Sequence, residues 1–207
     1  MLTKQKWQEA LSRRHGRETQ NKFENATVAI CGLGGLGSNI AISLARAGVG
    51  TLILIDFDKV DITNLHRQQY KASQIGMDKT DALKENLLEI NPFINLIAYN
   101  VMLDENNVFQ YVKDADIICE AFDKAENKAM LVNCVLDSFS DKKIVSSSGM
   151  AGFGDANEIK TTRINERFYL CGDRKSDVNF CASLVSARVM LCASHAALKI
   201  LQIIKET

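Results

Sequence analysis

The chain carries one proline and one tryptophan in 207 residues, three histidines and no formal net charge. Each scarcity excludes something. With Pro92 the only proline, there is no proline-rich linker or docking tract. Twenty-five basic residues against 25 acidic ones leave no basic excess with which to grip a nucleic-acid backbone. Arg13, Arg14 and Arg17 form only a short group, so no nucleic-acid partner is expected. The six cysteines (Cys31, Cys119, Cys134, Cys171, Cys181 and Cys192) contain no C-x-x-C pair, which argues against a zinc ribbon and a disulfide framework. His15 and His195 suggest no ligand set. No uncharged run approaches the ~20 residues needed to cross a bilayer. Arg188, His195 and Lys199 interrupt the most apolar segment, residues 182–204, which reads as a helix buried in the core or at a subunit interface, and no membrane is expected. Residues 1–10 are polar and charged, unlike a secretory signal, so the expected location is cytoplasmic.

What is present is sharper. Residues 29–37 read Ala-Ile-Cys-Gly-Leu-Gly-Gly-Leu-Gly. A short apolar run, 27–31, ends in a glycine turn that opens a helix over 36–47. Gly32, Gly34 and Gly37 let the backbone turn sharply, approach a phosphate and pack helix against sheet. The helix aims unpaired N–H groups at that phosphate. A second apolar run, 51–55, ends at Asp56, where a carboxylate can accept hydrogen bonds from ribose hydroxyls. A glycine turn alone is weak evidence; inside a strand–turn–helix–strand–Asp unit it points to a bound nucleotide.

From residue 27 the pattern alternates. Strands are expected at 27–31, 51–55, 94–99, 116–119 and 143–147, with helices at 36–48, 77–90 and 124–138 and a weaker one near 104–112. Such alternation predicts a Rossmann-like α/β fold, its mostly parallel sheet flanked by helices and its binding site at the carboxyl edge of the strands. After residue 149 the rhythm changes to two short antiparallel strands, 158–164 and 167–170, a polar stretch and a final apolar helix. The organisation expected is one domain over 1–207: an N-terminal helical arm (1–26), a nucleotide-binding core (27–148), and a crossover loop, strands and last helix (149–207). Cys31 and Cys119 fall in buried strands, Cys134 and Cys192 in apolar helices.

The residues after Asp56 choose the chemistry. Asp58 shares the strand end, and Asp61, Asn64, Arg67 and Gln68 lie in the next turn. Lys79 opens the next helix. Two cations, Arg67 and Lys79, then face Asp123 across the end of the fourth strand. Alone, each cation would be an ordinary surface residue. Together they exceed what a nicotinamide dinucleotide requires, and suit a triphosphate with Mg²⁺, which takes one or two carboxylates plus phosphate oxygens.

At these residues the chain resembles the ThiF/MoeB adenylyltransferases, relatives of the ubiquitin-activating enzymes. The resemblance rests on GLGGLG at 32–37, DFD at 56–58, NLHRQ at 64–68, IGxxK at 75–79 and INP at 90–92. It is similar above all to the short form of ThiF, through Arg-His-Gly at 14–16, Ser-Gly-Met-Ala-Gly at 148–152 and Cys-Gly-Asp at 171–173. The resemblance implies that Gly35 and its neighbours contact phosphates, Asp56 the ribose, and Asn64, Arg67 and Lys79 the triphosphate. Asp123 would bind Mg²⁺, with Asp58 as helper. Arg14, or else Arg13, would reach the γ-phosphate from the partner subunit of a homodimer. Lys124 and Lys128 stand where relatives often carry Asn and Arg, and the zinc cysteines of many relatives are missing, so no zinc is expected.

The implied reaction is ATP-dependent adenylation of the C-terminal glycine carboxylate of a ubiquitin-like sulfur carrier ending in Gly-Gly. ThiS of thiamine thiazole synthesis is the first candidate, with a separate sulfur donor enzyme downstream. Cys171 and Cys181 flank the polar stretch that could cross the site, and either could form a covalent intermediate, although a structural role suits each as well. Three alternatives stay open. One is activation of the molybdopterin carrier or of a tRNA-bound carboxylate. Another is an NAD(P)-dependent oxidoreductase, which would leave Arg67, Lys79 and Asp123 idle. The last is a non-catalytic scaffold.

Overall fold

In the computed structural model, which describes residues 1–181 and 183–207, the alternation from residue 27 closes into one seven-stranded sheet. Its strands are β1 (Thr27–Cys31), β2 (Thr51–Asp56), β3 (Asn95–Asn100), β4 (Ile117–Glu120), β5 (Lys143–Ser147), β6 (Lys160–Arg163) and β7 (Phe168–Gly172). They lie in the order β3-β2-β1-β4-β5-β7-β6. The first five pair in parallel, β7 joins β5 in parallel, and β6 alone runs antiparallel, along β7. The two short late strands are thus antiparallel to one another, as expected, while only one reverses the sheet.

Val28 to Cys31 and Leu52 to Asp56 are buried without interruption, as strands covered on both faces must be. The helices are α1 (Lys4–His15), α2 (Arg17–Asn25), α3 (Gly35–Ala47), α4 (Lys79–Ile90), α5 (Val108–Val112), α6 (Ala125–Ser138), α7 (Val178–Cys181) and α8 (Ser186–Glu206). One face is covered by α3, α4 and α8, through Ile40, Leu44, Leu83, Leu87, Cys192, Ala196 and Ile200. Val108 and Val112 of α5 and Leu131 and Val135 of α6 pack on the other. By length and composition α8 could cross a membrane, with a hydropathy of 1.4 over its most apolar window, but half of that window is buried inside the protein. The expected first residue of this helix, Ala182, lies outside the described residues.

Strand order reverses at β1, between β2 and β4, which opens a crevice at the carboxyl edge of the sheet. Gly37 makes that crevice possible. A Cβ there would fall inside the contact radius of the Gly32 carbonyl oxygen, so only glycine lets α3 start so close to the turn. At the other end Gly48, at φ +83°, closes α3 with its N–H on Ala45 O.

Gly37→Ala is therefore expected to cost about 2 kcal/mol or more by overpacking. A fall in the urea midpoint at constant slope would show it; an unchanged midpoint would mean that the turn and helix can move apart freely.

Candidate functional site

The carboxyl ends of β1, β2 and β4 bring together most of the residues singled out from the sequence. Asp56, 8% exposed, ends β2 and accepts two backbone N–H groups, Leu33 at 2.6 Å on Oδ2 and Asp58 at 2.8 Å on Oδ1. Burial raises its carboxyl above the ordinary carboxylate value, while the Lys79 charge and those two amides pull the other way. The Tyr70 hydroxyl donates to Leu33 O at 2.7 Å, so the turn is held from both sides.

Lys79 is the first residue of α4 and is buried, and its Nζ reaches Asp58 Oδ2 at 2.7 Å. Asp56 and Asp58 share a strand end yet differ in burial, since the Asp58 side chain is half exposed. Arg67 lays its aliphatic stem over Gly35, whose missing Cβ would stand 3.4 Å from Arg67 Cγ. Its Nη1 donates to Thr63 O at 3.2 Å. Burial lowers the Arg67 guanidinium from its ordinary value, and the charge of Asp123 acts the other way. Asp123 itself is exposed, three residues past β4, and makes no hydrogen bond or ion pair to any described residue.

Two amides complete the floor. Asn64 uses Oδ1 to accept the Asp61 N–H at 3.0 Å in a helix-capping turn, leaving its Nδ2 donors. Gln68 is buried, its Oε1 has no partner, and its Nε2 lies 3.8 Å from where a Cβ on Gly34 would be. A buried acceptor without a donor is costly unless a ligand supplies one.

Arg14 is not part of this gathering. It is exposed in the last turn of α1, and α1 and α2 pack at the far end of α3, where Leu11 and Gln20 crowd Gly48. Thirteen residues of α3 separate that end from the glycine turn, about 20 Å at 1.5 Å per residue. A groove of about 590 Å³ between α1 and α2, lined by Gln8, Arg13, Arg17 and Glu24 among others, holds none of the residues above. Cys171 is fully buried on β7, and burial raises its thiol. Cys181 is exposed on α7 against Gly152, in the loop that follows β5.

The sequence reading missed Glu120. It ends β4 with no exposure, accepts the Phe122 N–H at 2.6 Å and the Ser146 hydroxyl, and meets Lys128 Nζ at 3.2 Å. Lys128 also donates to Ser147 O at 3.0 Å. This pair fixes the turn that presents Asp123. The available signal was a carboxylate closing the apolar run Ile117–Cys119. Among the described residues no group of three or more His, Cys, Asp or Glu could hold a metal. A lone exposed carboxylate past a glycine turn and helix N-terminus still fits a cation whose other ligands would be phosphate oxygens and water.

Comparison with known proteins matches this architecture. The chain is 37% identical over 123 residues to the adenylyltransferase and sulfurtransferase MOCS3 of Caenorhabditis briggsae, covering 58% of the chain and 31% of that protein. It is 35% identical over 153 residues to the tRNA threonylcarbamoyladenosine dehydratase of Bacillus subtilis, covering 73% of the chain and 59% of that protein. The chain thus spans about a third to three fifths of the length of these relatives. Among solved structures, the AMP complex of Escherichia coli TcdA, a tRNA N6-threonylcarbamoyladenosine dehydratase, superposes with a TM-score of 0.85. It shares 22% identity and covers 99% of this chain and 97% of that one. The ATP complex of E. coli MccB gives 0.72 at 24% identity, over 91% and 58%. These two show the fold. The ThiF family model matches residues 8–207, and with the glycine turn, Asp56, the Arg67 motif and Lys79 in place, the chain belongs to the ThiF family.

Proposed function

We propose that this chain is an ATP-dependent adenylyltransferase that activates the C-terminal glycine carboxylate of a ubiquitin-like sulfur carrier, with ThiS of thiamine thiazole synthesis as the substrate to try first. The observation that carries the reading is one crevice holding a glycine turn at a helix N-terminus, the Arg67 guanidinium alongside it and the exposed Asp123 carboxylate, whose charge acts on that guanidinium. Relatives named as adenylyltransferases, and neighbours in complex with AMP and ATP, support it.

A carboxylate is already ionised at neutral pH, so the reaction needs no general base. Its oxygen attacks the α-phosphorus of ATP; the new O–P bond forms as the bond to the bridging α,β-oxygen breaks, and pyrophosphate leaves with that electron pair. The protein's task is alignment and stabilisation of charge on phosphate oxygens. The α3 N-terminus and glycine turn cradle phosphates. Asp56 accepts ribose hydroxyls, Gln68 Oε1 takes a donor from the nucleotide, and Asn64, Arg67 and Lys79 hold the triphosphate. Asp123 would hold Mg²⁺, which supplies charge neutralisation on the phosphates. Arg14, too far to act within its own chain, would serve a partner subunit in a homodimer. A cytoplasmic location goes with this reading.

A second reading, a tRNA-bound carboxylate as acceptor, is favoured by the B. subtilis relative and by end-to-end coverage of the E. coli dehydratase fold. The neutral chain, lacking the basic excess that a polyanion favours, weighs for the protein carrier.

ATP–pyrophosphate exchange decides between them. Exchange is expected only with a carrier bearing a free Gly-Gly carboxylate, and Arg67→Ala or Asp123→Ala should lower it about 10³-fold with the circular dichroism spectrum unchanged. Exchange with threonylcarbamoyladenosine tRNA instead would establish the second reading. Near-normal turnover of either variant would remove that residue from the site, and tight NAD binding without exchange would point to an oxidoreductase.

Any thiol step comes after adenylation. Iodoacetamide at pH 8 is expected to label exposed Cys181 and spare buried Cys171 in the native protein, judged by peptide mass. Cys181→Ser should keep full exchange activity; loss of exchange would place the thiol in the adenylation step itself.

A further inference from the structure

The loops that follow β5 and β7 are joined more tightly than surface loops need to be. Ser148 N donates to Cys171 O at 2.8 Å, Asp173 N to Gly149 O at 2.9 Å, and Arg174 N to Ser148 O at 3.1 Å. Gly149 at φ +80° and Gly172 at φ +131° permit this approach, since a Cβ on either would overlap the opposite loop. Asp173 Oδ1 gathers the N–H groups of Lys175 and Ser176, both at 2.8 Å, and Ser176 Oγ accepts Ala151 N–H at 3.0 Å. Arg174 is held at φ +60°, a conformation that a non-glycine residue adopts only under constraint.

The whole collar is tied to α8 by one ion pair. Asp173 Oδ2 meets Arg188 Nη2 at 2.6 Å, with side chains 4% and 5% exposed. Arg188 Nη1 donates to the carbonyls of Gly154 and Asp155, and Glu158 stands 3.8 Å from Nη2. Asp173 is pulled down to about 2, the loop hydrogen bonds and Arg188 outweighing its burial. A carboxyl depressed in the folded state contributes stability above its unfolded value and loses it as pH falls through about 2, so the pair stays ionised at any working pH.

The next residue along α8, about 100° further round the helix, packs on the glycine turn. Val189 Cγ1 lies 3.0 Å from where a Cβ on Gly35 would stand. A single helical turn therefore abuts the phosphate turn with Val189 and clamps the β5 and β7 loops with Arg188. Those loops belong to the half of the sheet edge beyond β4, which a nucleotide seated over β1 and β2 leaves open to a second substrate. Buried ion pairs are poor sources of net stability and are better suited to fixing register.

We propose that Arg188 and Asp173 are positioning residues that hold the β5 and β7 loops at a set distance from the phosphate turn, and so shape the path of the acyl substrate rather than the nucleotide site. This rests on the adenylyltransferase reading. A misplacement of about 1 Å can cost about 10²-fold in an alignment-dependent reaction, so loosening the clamp should act on the acyl substrate first.

The test uses the full chain with Asp173→Asn and Arg188→Lys, compared at temperatures below both melting transitions. Trypsin cleavage after exposed Arg174 and Lys175 is expected to quicken about tenfold in Asp173→Asn and less in Arg188→Lys, which keeps the charge. ATP affinity by calorimetry should stay within about twofold while KM for the Gly-Gly carrier rises about tenfold or more, with Arg188→Lys between the two. Unchanged cleavage in both variants would overturn the clamp. An equal loss of ATP and carrier affinity, or an unchanged carrier KM, would overturn its role toward the acyl substrate. Wild-type protein that exchanges with no carboxylate substrate would sink the adenylyltransferase reading and that role together, and the cleavage rates alone would then decide whether the clamp exists.

Discussion

The hydrogen bond from Leu33 N–H to the Asp56 carboxylate holds the carboxyl edge together. It joins the end of β2 to the turn after β1 at 2.6 Å, and a second bond, from Asp58 N–H, commits the other oxygen. Gly32, at φ +94°, sends its own N–H to Ile55 O at 2.8 Å, so turn and strand are matched twice. The turn is shaped before any ligand arrives, while the first N–H groups of α3 have no partner within the helix. On the proposed reading, a phosphate would meet a preformed cradle and a ribose would lie against Asp56. The desolvation that raises the Asp56 carboxyl accompanies that rigidity, and Lys79 and the two amides counter it.

The β1–α3–β2 unit was legible because its signals are local. Apolar runs, glycines at set intervals and a terminal carboxylate act over neighbouring residues, and the sheet preserves their order. Lys79 at the start of α4 was legible for the same reason, although the helix begins there and not at residue 77. The helical arm expected over 1–26 is two helices, and the break between them at Gly16 was not legible: α2 buries only Gln20 and Phe23, too few apolar positions to leave a period of its own in Arg17–Asn25. Glu120 with Lys128, and Asp173 with Arg188, were hidden because each pair joins elements whose approach only the tertiary fold determines. The pairing of β7 with β5 was hidden likewise, since two short runs separated by a tight turn imply a hairpin without saying which strand enters the sheet.

The α3 and α8 helices extend this logic across the domain. Val189 on α8 limits how far α3 can approach, through Gly35, and Lys22 on α2 donates to Lys205 O at the far end of α8. Both helices therefore run from the carboxyl edge to the opposite edge, side by side. A movement of α8 would be felt at the glycine turn and in the loops after β5 and β7 alike.

The cations at this edge separate by what surrounds their partners. Lys128 faces Glu120, which has no exposure at all. Removing the lysine would strand a buried carboxylate, a change of about 3–5 kcal/mol in comparable sites, so this pair belongs to the framework. Arg188 and Asp173 are both nearly buried and belong there too. Lys79 differs: it is buried, but its partner Asp58 is half exposed, and a pair open to water on one side is worth about 1 kcal/mol or less. A phosphate could displace Asp58 at little cost. Arg67 differs further, for it bonds the Thr63 carbonyl and the His66 ring and only senses Asp123 at a distance. Of these four cations, the two that the sequence motif marks for the triphosphate thus have the weaker present partners. Lys128 and Arg188, which the motif leaves out, are bound to buried carboxylates that cannot release them.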